Sequence, residues 1–182
     1  TDAGCTVALN QNGTAGADGK FSIATTVPEN ATEMRYANAR DAAGNVSACS
    51  NGVSYTEDSV APDAPEITLS IPESPSGSNT HPTLVGAAEA GSVVTIYASE
   101  DCSGDAVITT NTNGDGIWTA TVEVASNSVT IFTATATDIA SNVSACSPVG
   151  LEYIHDDDDP DAPSLDGTDP VSPGKTTTPT VF

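Results

Sequence analysis

Cationic side chains are scarce: four Lys and Arg stand against 25 Asp and Glu in 182 residues, a formal net charge of −21. Nucleic-acid phosphates and anionic headgroups repel such a chain, so neither is expected as a partner. There are two histidines, His81 and His155, and neither has a matched Ser or Cys of the kind nucleophilic catalysis needs. No Gly-rich phosphate loop is present. Aromatics make up 4% of residues, which suggests no aromatic-lined sugar cleft. Among so many acids, carboxylate pairs arise by coincidence and do not indicate glycoside hydrolysis. Catalysis is not expected. No run of about 18 apolar residues exists, so membrane insertion is not expected. No signal-peptide pattern accompanies Thr1, and the chain reads as a processed or excised piece.

Long helix formers such as Leu, Lys and Gln are also few. Thr, Ser, Ala, Asn, Asp, Gly and Val dominate, a mixture that makes short strands and tight turns, and an all-β class follows. An apolar content of 37% supports small cores rather than one large one.

The strongest positive signal is a repeat. Asp41-Ala-Ala-Gly-Asn-Val-Ser-Ala-Cys-Ser50 returns as Asp138-Ile-Ala-Ser-Asn-Val-Ser-Ala-Cys-Ser147, with 8 of 10 positions identical at an offset of 97. The same offset relates Cys5 to Cys102, Asp18-Gly19 to Asp115-Gly116, Phe21 to Trp118 and Thr83 to Thr180. It becomes 98 where Pro62-Asp-Ala-Pro65 matches Pro160-Asp-Ala-Pro163. Residues 1–61 therefore read as the later part of one copy without its first strands, 62–159 as a complete copy, and 160–182 as the first strands of a third. Two explanations stand. The chain is a window on a longer array, or the tail of one chain completes the headless copy of another by strand donation. The window is favoured, because no counterpart of 86–97 exists at either end and donation would leave one strand short.

Seven strands are expected in the complete copy: 65–70, 82–87, 92–98, 105–110, 117–124, 128–137 and 149–154. In the fifth, Trp118, Ala120, Val122 and Val124 alternate with Ile117, Thr119, Thr121 and Glu123, which places one face in the core with Trp118 as its anchor. Asn113-Gly-Asp-Gly116 signals a hairpin, and Pro62-Asp-Ala-Pro65 and Pro160-Asp-Ala-Pro163 are short, stiff linkers. Seven short strands in about 92 residues suit an immunoglobulin-like β-sandwich. The expected architecture is thus all-β, a tandem of immunoglobulin-like β-sandwich repeats with a period of about 97 residues.

Cys5 and Cys49 are separated by 44 positions, as are Cys102 and Cys146. Pairing within each copy is the natural choice. No C-x-x-C spacing or His partner favours zinc or thiol chemistry, so structural disulfides and an oxidising compartment are expected. On the chain-entropy model each bridge stabilises by roughly 4 kcal/mol. The bridge joins the loop after the third strand to the one after the sixth.

Gly86-Ala-Ala-Glu-Ala-Gly-Ser-Val-Val-Thr-Ile-Tyr97, Gly114-Asp-Gly-Ile-Trp118 and Thr133-Ala-Thr-Ala-Thr-Asp-Ile-Ala-Ser-Asn-Val-Ser144, in that order and spacing, resemble the successive motifs of bacterial Ig-like repeats in large surface adhesins. The resemblance covers essentially the whole chain. It implies a secreted or cell-surface, non-enzymatic array, often stiffened by calcium near its junctions. The chain departs from the usual pattern at Ala90, where Pro is common, at Ser141, where Gly is common, and in its cysteine pairs.

Calcium takes six to eight oxygens. Asp138 and Asn142, with Asp41 and Asn45 as their copies, close the sixth strand and are expected to meet Glu89 and linker acids Asp159 and Asp161 at one end of the unit, with Asp63 as the matching acid of the other linker. The alternative is that each Asp and Asn only closes an Asx turn, and that the run Asp156 to Asp159 is a solvated linker. The partners implied are neighbouring repeats of the same chain or other copies in a fibre. A binding module for a cell-surface or glycan ligand is the alternative, to be sought where Ser103–Asn113 differs from Thr6–Gly16. Thr133, Thr135 and Thr137 form a row that is either a flat binding surface or a reflection of strand propensity. Asn12, Asn30, Asn45 and Asn142 begin glycosylation sequons of the short kind that arise readily in Ser/Thr-rich chains.

Overall fold

A computed structural model describes residue 5 and residues 11–182. Eleven strands occur among the described residues: β1 (Thr32–Arg35), β2 (Val53–Thr56), β3 (Glu66–Ile71), β4 (Thr83–Ala87), β5 (Val93–Tyr97), β6 (Ala106–Asn111), β7 (Ile117–Thr121), β8 (Ser128–Thr137), β9 (Leu151–His155), β10 (Thr168–Asp169) and β11 (Thr180–Val181). No helix among them is long and apolar enough to cross a membrane. The Thr6–Gly16 loop begins outside the described residues, so its comparison with Ser103–Asn113 is limited to residues from 11 onward.

Strands β3 to β9 make two antiparallel sheets, one in the order β3-β4-β7 and one in the order β6-β5-β8-β9. Their inner faces meet in one apolar cluster. Ile67, Leu84, Trp118, Ala120, Val122 and Val124 come from the first sheet and its extension, and Val94, Ile96, Phe132, Ala134 and Tyr153 from the second. The seven expected strands are all present, with ends shifted by up to three residues. The fifth stops at Thr121, but Val122 and Val124 N–H groups still donate to the Pro82 and Thr80 carbonyls, which keeps their side chains on the buried face. Proline at 82 can accept but not donate, so this stretch pairs without a full ladder.

Trp118 is the bulkiest buried side chain, and its place depends on Gly86 in the neighbouring strand, the residue directly opposite it. A Cβ at position 86 would lie 2.3 Å from Trp118 Cζ2 and 2.2 Å from the Glu66 carbonyl oxygen. Nothing can yield there, because one neighbour is backbone and the other a wedged indole.

Both disulfides form within the copies, Cys5 to Cys49 and Cys102 to Cys146, with Cα–Cα distances of 5.7 and 5.8 Å. The second ties the β5–β6 loop to the β8–β9 segment, as the strand order requires. Beneath it, the buried Thr133 hydroxyl donates to the Ser99 carbonyl (2.8 Å) and accepts from the Cys102 N–H (3.2 Å). Thr133 and Thr135 are buried, and the Thr133 hydroxyl anchors the β5–β6 loop.

The local hydrogen bonds around β8 recur 97 residues earlier. Ala134 N–H donates to Ser147 Oγ and Ala136 N–H to Ser144 Oγ, at 3.0 and 2.9 Å. Ala37 and Ala39 donate to Ser50 and Ser47 Oγ at 3.0 and 2.9 Å. Strands β1 and β2 pair Thr32 with Thr56 just as β8 and β9 pair Val129 with Ile154, and β10 and β11 pair Asp169 with Thr180 just as β3 and β4 pair Ile71 with Thr83.

Gly86→Ala is expected to destabilise the 66–155 unit by about 1–3 kcal/mol through overpacking, and Trp118→Ala by about 3–5 kcal/mol through the cavity it leaves. Denaturant unfolding followed by far-ultraviolet circular dichroism reads both. A Gly86→Ala protein as stable as the parent would show that the indole is not seated against residue 86.

Candidate functional site

The Asp138–Asn142 segment is a closed turn. Asn142 donates its backbone N–H to Asp138 Oδ1 and its Nδ2 to Asp138 Oδ2, each at 2.8 Å, while the Asp138 N–H donates to the Asn142 carbonyl at 3.1 Å. Asp41 and Asn45 make the same pair of side-chain bonds at the same distances. Ser141 sits at φ 75°, the left-handed region, where its counterpart Gly44 has φ 92°. A serine at a position that favours glycine is held there by the carboxylate of Asp138 and the bridge between Thr137 and Val143. The hydrogen bonds from the Asn142 side chain hold the Asp138 carboxyl below its ordinary 3.8, assisted by backbone donors, and those from Asn45 do the same for Asp41. The Asp101 carboxyl is lowered by Ser103 in the β5–β6 loop.

The turn has a second role, because Asn142 Nδ2 also donates to the Asp58 carbonyl at 3.0 Å. The next residue of that linker is held from the other side: the Ser59 N–H donates to Asn30 Oδ1 at 2.9 Å. Two adjacent linker residues are thus gripped by asparagines from the segments before and after them. The Asn30 grip recurs at the following linker, where the Asp157 N–H donates to Asn127 Oδ1 at 2.7 Å and Asn127 Nδ2 reaches Asp158 Oδ1 at 3.2 Å. Asn30 and Asn127 have φ of 54° and 50°, a conformation asparagine tolerates better than most residues.

The structure brings some of the expected ligands to one end and sends others away. Asp63 and Glu89 line a surface hollow with Ala64, Glu66, Ala87 and Ala88, at the end where β8 exits into Asp138 and Asn142. Asp159 and Asp161 follow β9, whose last residue, His155, pairs with Ser128 at the opposite end of β8. Ten residues of strand span roughly 30 Å. Four or six residues beyond His155 reach at most about 14 or 21 Å. Asp159 and Asp161 therefore cannot join Asp138, a correction to the expected set. The linker beside the Asp138 turn is the preceding one, with Asp58 and Asp63. Strand parity carried this signal: in an antiparallel succession the sixth strand exits where the first enters, and the seventh exits at the far end.

The expected calcium ligands do not all meet at one end, because Asp159 and Asp161 follow β9 at the other. Both Asp138 carboxylate oxygens accept from Asn142, and among the described residues no group of three or more His, Cys, Asp or Glu could hold a metal ion. Three of the four sequon asparagines, Asn30, Asn45 and Asn142, spend their side chains on these turns and grips. The sequence alone marked Asn30 only as a sequon residue and left Asn127 unnamed, although their offset of 97 relates the two linker contacts.

Neither the protein-family models nor the curated proteins contain a match to this chain.

Because the folded pKa of Asp138 lies below its unfolded value, the turn's contribution to stability is complete above pH 3.8 and lost as pH falls through the folded value. Asp138→Asn is expected to melt below the parent at neutral pH, with the gap closing in strong acid. Thermal melts across pH check this, and a gap that stays constant with pH would remove the carboxylate from the account.

Proposed function

We propose that this chain is a non-catalytic spacer: a segment of tandem immunoglobulin-like repeats from a secreted or cell-surface fibre, whose role is to carry load and hold a fixed geometry between neighbouring units. The two-sided grip on Asp58 and Ser59 by Asn142 and Asn30 is the observation that carries this reading. A flexible connector has no use for paired clamps on adjacent backbone groups, whereas a stiff joint needs them. The strand orders β3-β4-β7 and β6-β5-β8-β9 and the sequence period of 97 support the immunoglobulin-like assignment. Disulfides are compatible with an extracellular setting, where reduction does not undo them. The high negative charge keeps such arrays soluble and apart.

Stiffness in this reading comes from direct protein–protein hydrogen bonds, each typically contributing about 0.5–1.5 kcal/mol, and calcium is not required to close the Asp138 turn.

Small-angle scattering and thermal melting of the 182-residue chain under non-reducing conditions test it, with and without calcium. Asn30→Ala combined with Asn142→Ala is expected to shift the scattering from that of a fixed joint to that of a flexible one, while calcium leaves the parent unchanged. If the double variant scatters like the parent, the clamps do not set the joint. A calcium-dependent rise in melting temperature and maximum dimension would move the stiffening role to bound cations.

A further inference from the structure

The asparagine grips on the two linkers differ at one contact. In the first, the Asn30 backbone N–H donates to Glu57 Oε2 at 2.6 Å, and Asn30 Oδ1 accepts from the Ser59 N–H. In the second, the Asn127 backbone N–H donates to His155 Nδ1 at 3.2 Å, and the Asn127 side chain holds the Asp157 N–H and Asp158 Oδ1. Glu57 and His155 are counterparts, each following its tyrosine, Tyr55 or Tyr153, by two residues. The repeat therefore keeps the bond to the asparagine backbone and exchanges the acceptor, a carboxylate in one copy and an imidazole in the other.

The two acceptors respond differently to a proton. A carboxyl group keeps an acceptor oxygen in either protonation state, whereas an imidazole that gains its second proton has no acceptor left. A backbone N–H can only donate, so the Nδ1 facing Asn127 carries no proton in this structure, and a proton there sets donor against donor. His155 is 3% exposed, and a buried charge without a partner is strongly disfavoured. Around it, Ser76 bridges to His155 and accepts from the Asp156 N–H at 3.2 Å, while β8 contributes Ser128. The titratable groups on these elements are Glu152 and Tyr153 on β9, Glu73 ahead of Ser76, and Asp156, Asp157 and Asp158 on the linker; residues 124–130 carry none. The exposed His81 lies on the 79–82 segment, which accepts from Tyr153 and Val124. No Lys or Arg occurs between Arg40 and Lys175. The linker acids are thus the nearest partners along the chain for an imidazolium, and two of them are the residues that Asn127 holds.

We infer that His155 is a proton switch on the second linker. Protonation of Nδ1 removes the acceptor of the Asn127 N–H, the ring turns toward the linker carboxylates, and the Asn127 hold on Asp157 and Asp158 is released. The grip is complete while the imidazole is neutral and is lost as pH falls. Histidine is the side chain whose charge ordinarily changes between about pH 5 and 8, so mild acid loosens this linker and leaves the one closed by Glu57 in place. As a control of stiffness the switch rests on the spacer reading, but the contact does not, and a local readout separates the failure of one from that of the other.

Nuclear magnetic resonance of the 182-residue chain from about pH 8 to 5 tests it, following the His155 ring protons and the backbone amides of Asn127, Asp157, Asn30 and Ser59. The Asn127 and Asp157 amide shifts are expected to track the titration of the His155 ring. Hydrogen-exchange protection at Asp157 is expected to fall about three- to tenfold, as loss of one hydrogen bond implies, while Asn30 and Ser59 keep theirs. His155→Glu, which installs the acceptor of the first linker, is expected to abolish the response, and Glu57→His to confer it on Asn30 and Ser59. His81→Gln assigns the second histidine and is expected to leave the response intact. Emission from Trp118, the only tryptophan, reports that the complete unit stays folded in each variant. A His155 ring that stays neutral across the range, amides that stay fixed while it titrates, or a response that persists in His155→Glu would each overturn the inference. If His155→Glu does not fold, the parent titration and Glu57→His decide, and a Glu57→His protein whose Asn30 and Ser59 amides ignore the new imidazole overturns it.

Discussion

The contact between Trp118 and Gly86, neighbours in one sheet, seats the largest side chain of the core. The indole fills the space that a side chain at 86 would take, and it does so from β7 across the ladder to β4 while reaching the apolar side chains of the facing sheet. With that wedge in place, Leu84 and Ile67 on one side and Phe132, Val94 and Ile96 on the other have a surface to pack against. Strand β8 then becomes the axis of the second sheet. Its first half pairs with β9 and its second half with the 143–147 segment through Ser144 and Ser147, so one ten-residue strand carries both the disulfide-linked loop and the Asp138 turn. The turn is where it is because β8 is that long.

Much of this was legible in the sequence because it rests on local rules. Period-two alternation found β7 and its buried Trp118, Gly-rich turn signals placed the strand ends within a few residues, and matched cysteine spacing gave both pairings. The offset of 97 held at the level of individual hydrogen bonds, since a repeated side chain beside a repeated backbone makes the same bond. The candidate site was half legible. Asp138 with Asn142 was recognised as a unit, and the modest Asx-turn alternative is the geometry found. What failed was long-range placement: Asp159 looked near in composition and lies at the opposite pole. Local pattern says nothing of which pole a linker occupies; only counting strand direction does.

The threonine row shows another limit. Thr133 and Thr135 read as outward-facing from their alternation with Phe132, Ala134 and Ala136, and so they are with respect to the sheet. They are nevertheless buried, because loops fold over that face and use Thr133 as a fixing point. Alternation tells inner from outer face of a sheet, and a covered outer face escapes it.

The paired asparagine grip on residues 58 and 59 bears on shape at a larger scale. A connector free to swivel lets successive units lose memory of one another's orientation within a few copies. A connector pinned on both sides keeps one rotation and one tilt from each unit to the next, and identical rotations compound instead of averaging out. A long run of such joints would wind into a superhelix with a definite pitch and hand, so that any patch recurring once per unit would trace a spiral stripe, turning a local pair of amide contacts into a rule for which faces of distant units look the same way.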